Sequence, residues 1–453
     1  MNDQQGHSMR TLSTWEKRLL PVPNTLECAE MRLLSAADFE DPVFVGTGQI
    51  KITSFMSMDF IMSAQASDGN EAFRRLVRAQ DNPYDVREQF RLEAVDYDGN
   101  EWACGWTGVR LVSAVKDRWL LTGKLRSLVT SVSGQWVSKV SGVELVFLPR
   151  LHLPMEHWME SVTKIGGEEI QYRREPGRCV LRVLGSEIEF YHLPGSEALY
   201  LTATASTELP HPYLENWLSE PLRVLTGQLI YPRLVARNKG NGTADVWLRP
   251  SPSRLPNAGL ASLLGKDPIE AKDSFWEMYS ALLTFIANAR DADNQPNFES
   301  NRLTRFYEEI AQAAGGSRWV LCLTLASTAE GIAKMIMRPE EQKSDFDSAQ
   351  LACLKRTVKK WEGDPELKKR ILGDISRAGI RTIGSFLKSL VDRQVVGVAQ
   401  ARAWKDVRNQ VMHGNLIAPW GGKDEDQRLM DLAGLVHSLT NHLLERTRAA
   451  PEV

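Results

Sequence analysis

Pro250-Ser251-Pro252-Ser253-Arg254-Leu255-Pro256-Asn257 divides this chain into two kinds of sequence. Prolines at 250, 252 and 256 fix φ and remove backbone donors, so neither a strand ladder nor a helix runs through the stretch. Before it, short β-rich runs alternate apolar and polar residues; after it, apolar residues recur at every third or fourth position. The spacing predicts an α+β chain. A β-rich N-terminal part, sandwich or barrel-like, occupies 1–256, and an all-helical part occupies 257–453, with its core in 317–453. At 453 residues the chain is long enough for two or three cores.

Working back from the divide, Leu229 to Ala236 and Thr243 to Leu248 flank Asn238-Lys239-Gly240-Asn241-Gly242, the signature of a hairpin. Further strands are expected at Ala198 to Ala203, Glu187 to Tyr191, Cys179 to Val183, Val143 to Leu148, Leu125 to Val132 and Trp119 to Leu121. Phe90 to Val95 alternates strictly, turns at Asp98-Gly99-Asn100 and returns as Trp102 to Trp106. A helix around Glu71 to Ala79 interrupts the pattern, and strands resume at Met58 to Met62 and Val43 to Ile52. Residues 1 to about 40 show no clear period and read as an arm or a short leading element.

Beyond the divide, helices are expected over 268–289, 299–313, 317–337, 346–362, 366–392, 398–413 and 424–448. Asp364-Pro365 supplies a capping residue and a proline at the first helical position, and Asp424 to Asp426 place negative charge at the start of the last helix.

The composition, 43% hydrophobic and 25% charged, is that of an ordinary globular protein. No apolar run approaches the ~20 residues that span a bilayer, and no signal-peptide core is evident, so a cytoplasmic protein without membrane contact is expected. Five scattered cysteines form no Cys-x-x-Cys pair, which argues against a disulfide framework and a zinc site. The net charge of -2 is unevenly spread: from Ser317 onward 22 Lys+Arg stand against 17 Asp+Glu. The helical end is the basic end.

Near that end lies Lys405-Asp406-Val407-Arg408-Asn409-Gln410-Val411-Met412-His413-Gly414-Asn415. It reads as a helix and its stop, with Gly414 at the left-handed position that ends a helix. Asn409 and His413 are four apart and share a face, and the long side chain of Arg408 can swing to join them.

Arg408-Asn409, three residues, His413 and Gly414 resemble the signature of HEPN domains, the helical domains of many RNA-cutting toxins and defence proteins. That family also carries an acidic residue followed four positions on by a basic one, which Glu330 and Lys334 match. A long β-rich part ahead of the helical domain further resembles ApeA-like proteins of anti-phage defence. The resemblance implies a ribonuclease acting by abortive infection, a homodimer with two motifs facing across one cleft, and Glu330 and Lys334 holding Arg408. The N-terminal part would then sense a phage-derived trigger or restrain the nuclease.

The residues suit that chemistry without a metal or another cofactor. His413 can transfer a proton, Arg408 can fork two hydrogen bonds to a phosphate, and Asn409 can donate to an oxygen or orient the imidazole. A helix C-terminus favours the imidazolium, so His413 suits the acid. Lys359, Lys360, Lys369 and Arg370 are candidates for RNA contacts, or are the wet faces of two helices. Glu330 and Lys334 read equally as an ordinary ion pair one turn apart. His152 and His157 lack a third ligand, and Pro154 breaks their spacing. The rival class is a non-catalytic module that binds RNA or dimerises, with a ligand-binding β domain.

Overall fold

The computed structural model describes residues 10–35, 38–155, 162–165, 168–171, 177–193, 195–255, 258–265, 268–298, 300–344, 346–412 and 421–449. The first helix, α1 (Leu12–Leu19), leads into β1 (Asn24–Ser35), β2 (Asp38–Ser54) and β3 (Ser57–Ala66). α2 (Gly69–Asp81) is capped by Asp68, whose carboxylate accepts from the amides of Asn70 and Glu71. β4 (Phe90–Asp96), β5 (Glu101–Thr107), β6 (Val109–Val115), β7 (Arg118–Lys124), β8 (Leu128–Ser133) and β9 (Ser141–Phe147) follow. β10 (Val162–Ile165) pairs with β11 (Glu168–Gln171). Then come β12 (Arg178–Val183), β13 (Ser186–Tyr191), β14 (Leu199–Thr204), the short helices α3 (Leu214–Trp217) and α4 (Glu220–Thr226), β15 (Leu234–Lys239) and β16 (Thr243–Leu248).

Apart from the β10–β11 pair these strands join one antiparallel sheet of 14, ordered β12-β13-β14-β9-β15-β16-β8-β5-β4-β1-β2-β3-β7-β6. The β15–β16 hairpin turns through Gly240 and Gly242, whose φ values of 78° and 77° lie in the left-handed region that glycine tolerates. The leading segment is more than an arm. β1 is twelve residues long and pairs with both β2 and β4, and a shift of register between Cys28 and Met31 moves its inward face from even to odd positions, which hides the period of two. β6, α3 and α4 were also not foreseen, and the strand expected from Leu229 begins at Leu234 instead, after Pro232.

β9, β14 and β15 are buried on both faces. Val143, Leu145, Phe147, Leu199, Leu201 and Val235 point to the helical side, whereas Val146, Tyr200, Leu234 and Ala236 point the other way. That second face shares a core with Leu33, Phe44, Phe60, Leu92 and Trp102 of the N-terminal strands and with Leu12, Trp15 and Leu19 of α1. The sheet therefore curls over itself around α1. The amides of Thr11 and Leu12 donate to the buried Glu144 carboxylate of β9 at 2.9 and 3.0 Å, which compensates the burial of its charge at a helix N-terminus.

The helical region comprises α5 (Lys272–Asn288), α6 (Arg302–Ala314), α7 (Arg318–Ile336), α8 (Ser348–Lys360), α9 (Pro365–Ala378), α10 (Ile383–Asp392), α11 (Val398–Met412) and α12 (Lys423–Ala449). α5 lies against the sheet, with Tyr279 edge-on to Phe190 of β13 at 5.2 Å. α7 is central and packs on α6, α10, α11 and α12. It also corrects the reading of apolar runs, since at 19 residues it is long and apolar enough to cross a membrane. Here Leu325, Ala329, Ile332 and Ala333 are buried among the other helices. The single helix expected over 366–392 is two: α9 gives way at Gly379, and Thr382 starts α10 by accepting from the Ser385 amide at 3.1 Å.

Candidate functional site

Ala403, Trp404 and Val407 form the buried stripe of α11, which leaves Arg408 and Asn409 on its exposed side. The Trp404 indole N–H donates to the carbonyl of Ala326 on α7 at 3.1 Å and sets how the two helices are aligned. One turn further along both helices, Arg408 Nε lies 3.6 Å from Glu330 Oε2. The guanidinium sits 5.6 Å from the centre of the Trp404 ring, within cation–π range. Arg408 is thus bracketed by a carboxylate and an aromatic face. Its side chain is still 43% exposed.

Glu330 Oε1 accepts from Lys334 Nζ at 2.8 Å, so one carboxylate joins two cations from two helices. The Lys334 hydrogen bond, aided by the charges of Lys334 and Arg408 and opposed by partial burial, holds its pKa below the usual carboxylate range. Glu330 is accordingly ionised at neutral pH, which suits it to orient a cation rather than accept a proton. Exposed pairs of this kind contribute only ~0.2–1 kcal/mol each. Their value lies in position.

Asn409 is exposed in the last turn of α11. His413, Gly414 and Asn415 lie outside the described residues, as does His157. What the structure brings together is therefore Arg408, Glu330 and Lys334, with Asn409 beside them on the sequence. Trp404 is the contributor the sequence reading overlooked, although its place four residues before Arg408 put it on the same face.

Lys359 and Lys360 end α8, and Lys369 and Arg370 lie on α9; all four are exposed. α8 buries no residue and α9 only Ile375, so the two helices form a hairpin that leans chiefly on itself, with Lys355 Nζ 3.2 Å from Ser376 Oγ. From Ser348 to Arg381 there are nine Lys and Arg against four Asp and Glu. The charge excess of the helical end is concentrated there. The hairpin is tied at its base, where Arg381 donates its amide to Gln342 just after α7 and Ser344 donates to Gly379. None of the four basic residues is in ion-pair or hydrogen-bond contact with Arg408, Glu330 or Lys334 among the described residues. The arrangement offers one bracketed arginine and a separate basic arm springing from the end of α7.

Compared with protein-family models, curated proteins and solved structures, the chain gives no match.

Proposed function

We propose that this chain is a metal-independent endoribonuclease of a cytoplasmic anti-phage system acting by abortive infection. It cuts RNA at Arg408, Asn409 and His413 in a HEPN-like helical domain. One observation carries the reading: Arg408 of α11 is held by Glu330 of α7, whose other carboxylate oxygen Lys334 braces, so the two sequence elements meet across two helices.

The ribose 2′-oxygen attacks the adjacent phosphorus while its proton passes to a base. The bond from phosphorus to the 5′-oxygen breaks, and that oxygen takes a proton from an acid. His413 is the acid, and Arg408 forks to the phosphate oxygens as charge builds on them. A single histidine does not serve as both base and acid in one step, so a second copy of the chain supplies the other group across a shared cleft. The basic hairpin of α8 and α9 holds RNA through its phosphates, and the N-terminal sheet senses the trigger or restrains the nuclease.

The test is to incubate the purified protein with total RNA in EDTA and to identify the product ends. A 2′,3′-cyclic phosphate and a 5′-hydroxyl are expected. Products with 5′-phosphates, or cleavage that chelation abolishes, would overturn the mechanism. RNA binding with no cleavage would replace it by the non-catalytic module.

A further inference from the structure

A cavity of about 340 Å³ opens where the sheet meets the first helices, between α4, the segment before β15, the end of β16 and the start of α6. Among the described residues, Arg223, Arg249 and Arg305 line it, together with Tyr231, Phe298 and one carboxylate, Glu308. That carboxylate is already engaged. Arg223 Nε lies 2.7 Å from Glu308 Oε1, the Tyr231 hydroxyl donates to the same oxygen at 3.0 Å, and the Arg223 guanidinium stacks 4.6 Å above the Tyr231 ring.

Arg249 has no such counter-ion. It is half-buried, no carboxylate pairs with it among the described residues, and its guanidinium pKa is pushed down by burial alone. Behind it Arg233 is wholly buried and donates to the carbonyls of Phe55 and Arg249 at 3.0 and 2.6 Å rather than to an anion. The buried carboxylate of Glu220 on α4 is occupied by the Asn301 amide and the Thr304 hydroxyl, and burial raises its pKa toward the neutral form. Positive charge withdrawn from water without a partner is costly, and a ligand that brings negative charge relieves the cost. At the rim, Phe298 is 50% exposed, with its ring 6.0 Å from Tyr213, and offers a face for stacking.

We propose that this cavity binds a nucleoside phosphate, with its phosphates against Arg249 and its base on Phe298. The volume lies at the lower end of the ~300–1,000 Å³ usual for small-ligand sites, which suits a mononucleotide. Occupancy would also be felt elsewhere. Between Arg305 and Glu308 on α6 stands Phe306, whose ring packs so closely on Gly331 of α7 that a Cβ there would fall 2.3 Å from it. Gly331 adjoins Glu330, so a ligand that draws on α6 bears on the helix that holds Arg408. That consequence rests on the nuclease reading; the binding does not.

Calorimetry on the full chain in EDTA, with ATP, ADP, AMP and inorganic phosphate as probes and no RNA present, tests the site apart from any activity. One nucleotide per chain is expected, bound at least about tenfold more tightly than inorganic phosphate, with Arg249→Gln loosening it about tenfold. Phe298→Ala, on the exposed rim, should weaken the nucleotide and leave phosphate unchanged, and it decides the matter if Arg249→Gln does not fold. No binding of any of the three nucleotides at millimolar concentration overturns the proposal. Affinity unchanged by either substitution, or equal affinity for phosphate and ATP, overturns it too.

Discussion

Arg408 meets Glu330 across a gap of 3.6 Å, and one turn earlier Trp404 meets Ala326 at the same separation of 78 positions in sequence. Two helices thus touch twice with one alignment. The buried indole contact sets the exposed ionic one, so Glu330 acts on Arg408 by position. Glu330→Gln should reduce RNA cleavage about tenfold while the melting temperature stays within a few degrees, because an exposed pair carries only ~0.2–1 kcal/mol. The folded pKa of Glu330 is lowered, so the pair stabilises above the ordinary carboxylate range and is lost as pH falls through the folded value. Melting curves of parent and variant should therefore converge in acid. Full cleavage by the Gln variant would rule out a positioning role.

Chemistry and binding should separate at the end of the same helix. His413→Ala is expected to slow cleavage by roughly 10²–10⁴-fold with RNA affinity nearly unchanged. Arg408→Lys keeps the charge but loses the planar fork, so it too should cut poorly. If both variants retain full cleavage in vitro and full toxicity in cells, the site lies elsewhere.

The basic hairpin should show the opposite pattern. Replacing Lys359, Lys360, Lys369 and Arg370 with Gln should weaken RNA binding and flatten its dependence on salt, by ~0.7 in the log–log slope per lost contact to a single strand. The rate at saturating RNA should hold. An unchanged salt slope would make these residues a solvated surface.

Assembly is a separate question, decided by sedimentation. The proton inventory requires a dimer with two Arg408/His413 sets in one cleft, so the active species should sediment at twice the chain mass of 50.9 kDa. A monomer that cleaves RNA would end the shared-site idea.

Acid should weaken the fold through His437 on α12. Its ring stacks on Tyr307, with centres 6.3 Å apart, and burial lowers its pKa from the usual 6.5 to about 4. The unfolded chain therefore binds a proton that the folded chain refuses. Stability from this group is present above pH ~6.5 and is lost as pH falls toward ~4, by up to ~3 kcal/mol. In His437→Phe that loss should be absent, so the variant gains on the parent between pH 7 and pH 5 in denaturant titrations. Parallel pH profiles would contradict it.

Much of this was legible because it is local. The change of period at Pro250 to Asn257 marks the passage from sheet to helices, and Glu330 and Lys334 form a pair because a helix makes residues four apart neighbours. That Glu330 lies against Arg408 was expected only from the family resemblance, since the contact depends on the alignment of α7 with α11 that Trp404 sets. β1 was hidden by its change of register, and the break within 366–392 was signalled by Gly379 and Thr382 but outweighed by the helix formers around them. The arginine cavity could not be foreseen: Arg223, Arg249 and Arg305 belong to three separate segments that only the fold assembles.

The strands with two apolar faces also constrain how the molecule can be divided. A fragment ending near Pro250 would bare Phe190 where it meets Trp276 and Tyr279 of α5, and one beginning there would bare those two rings in turn. Either cut divides a core that the two halves share. Heat should melt both in one step, and a disturbance in the sheet should reach the helices as a change of packing along a shared ridge, with no hinge in between.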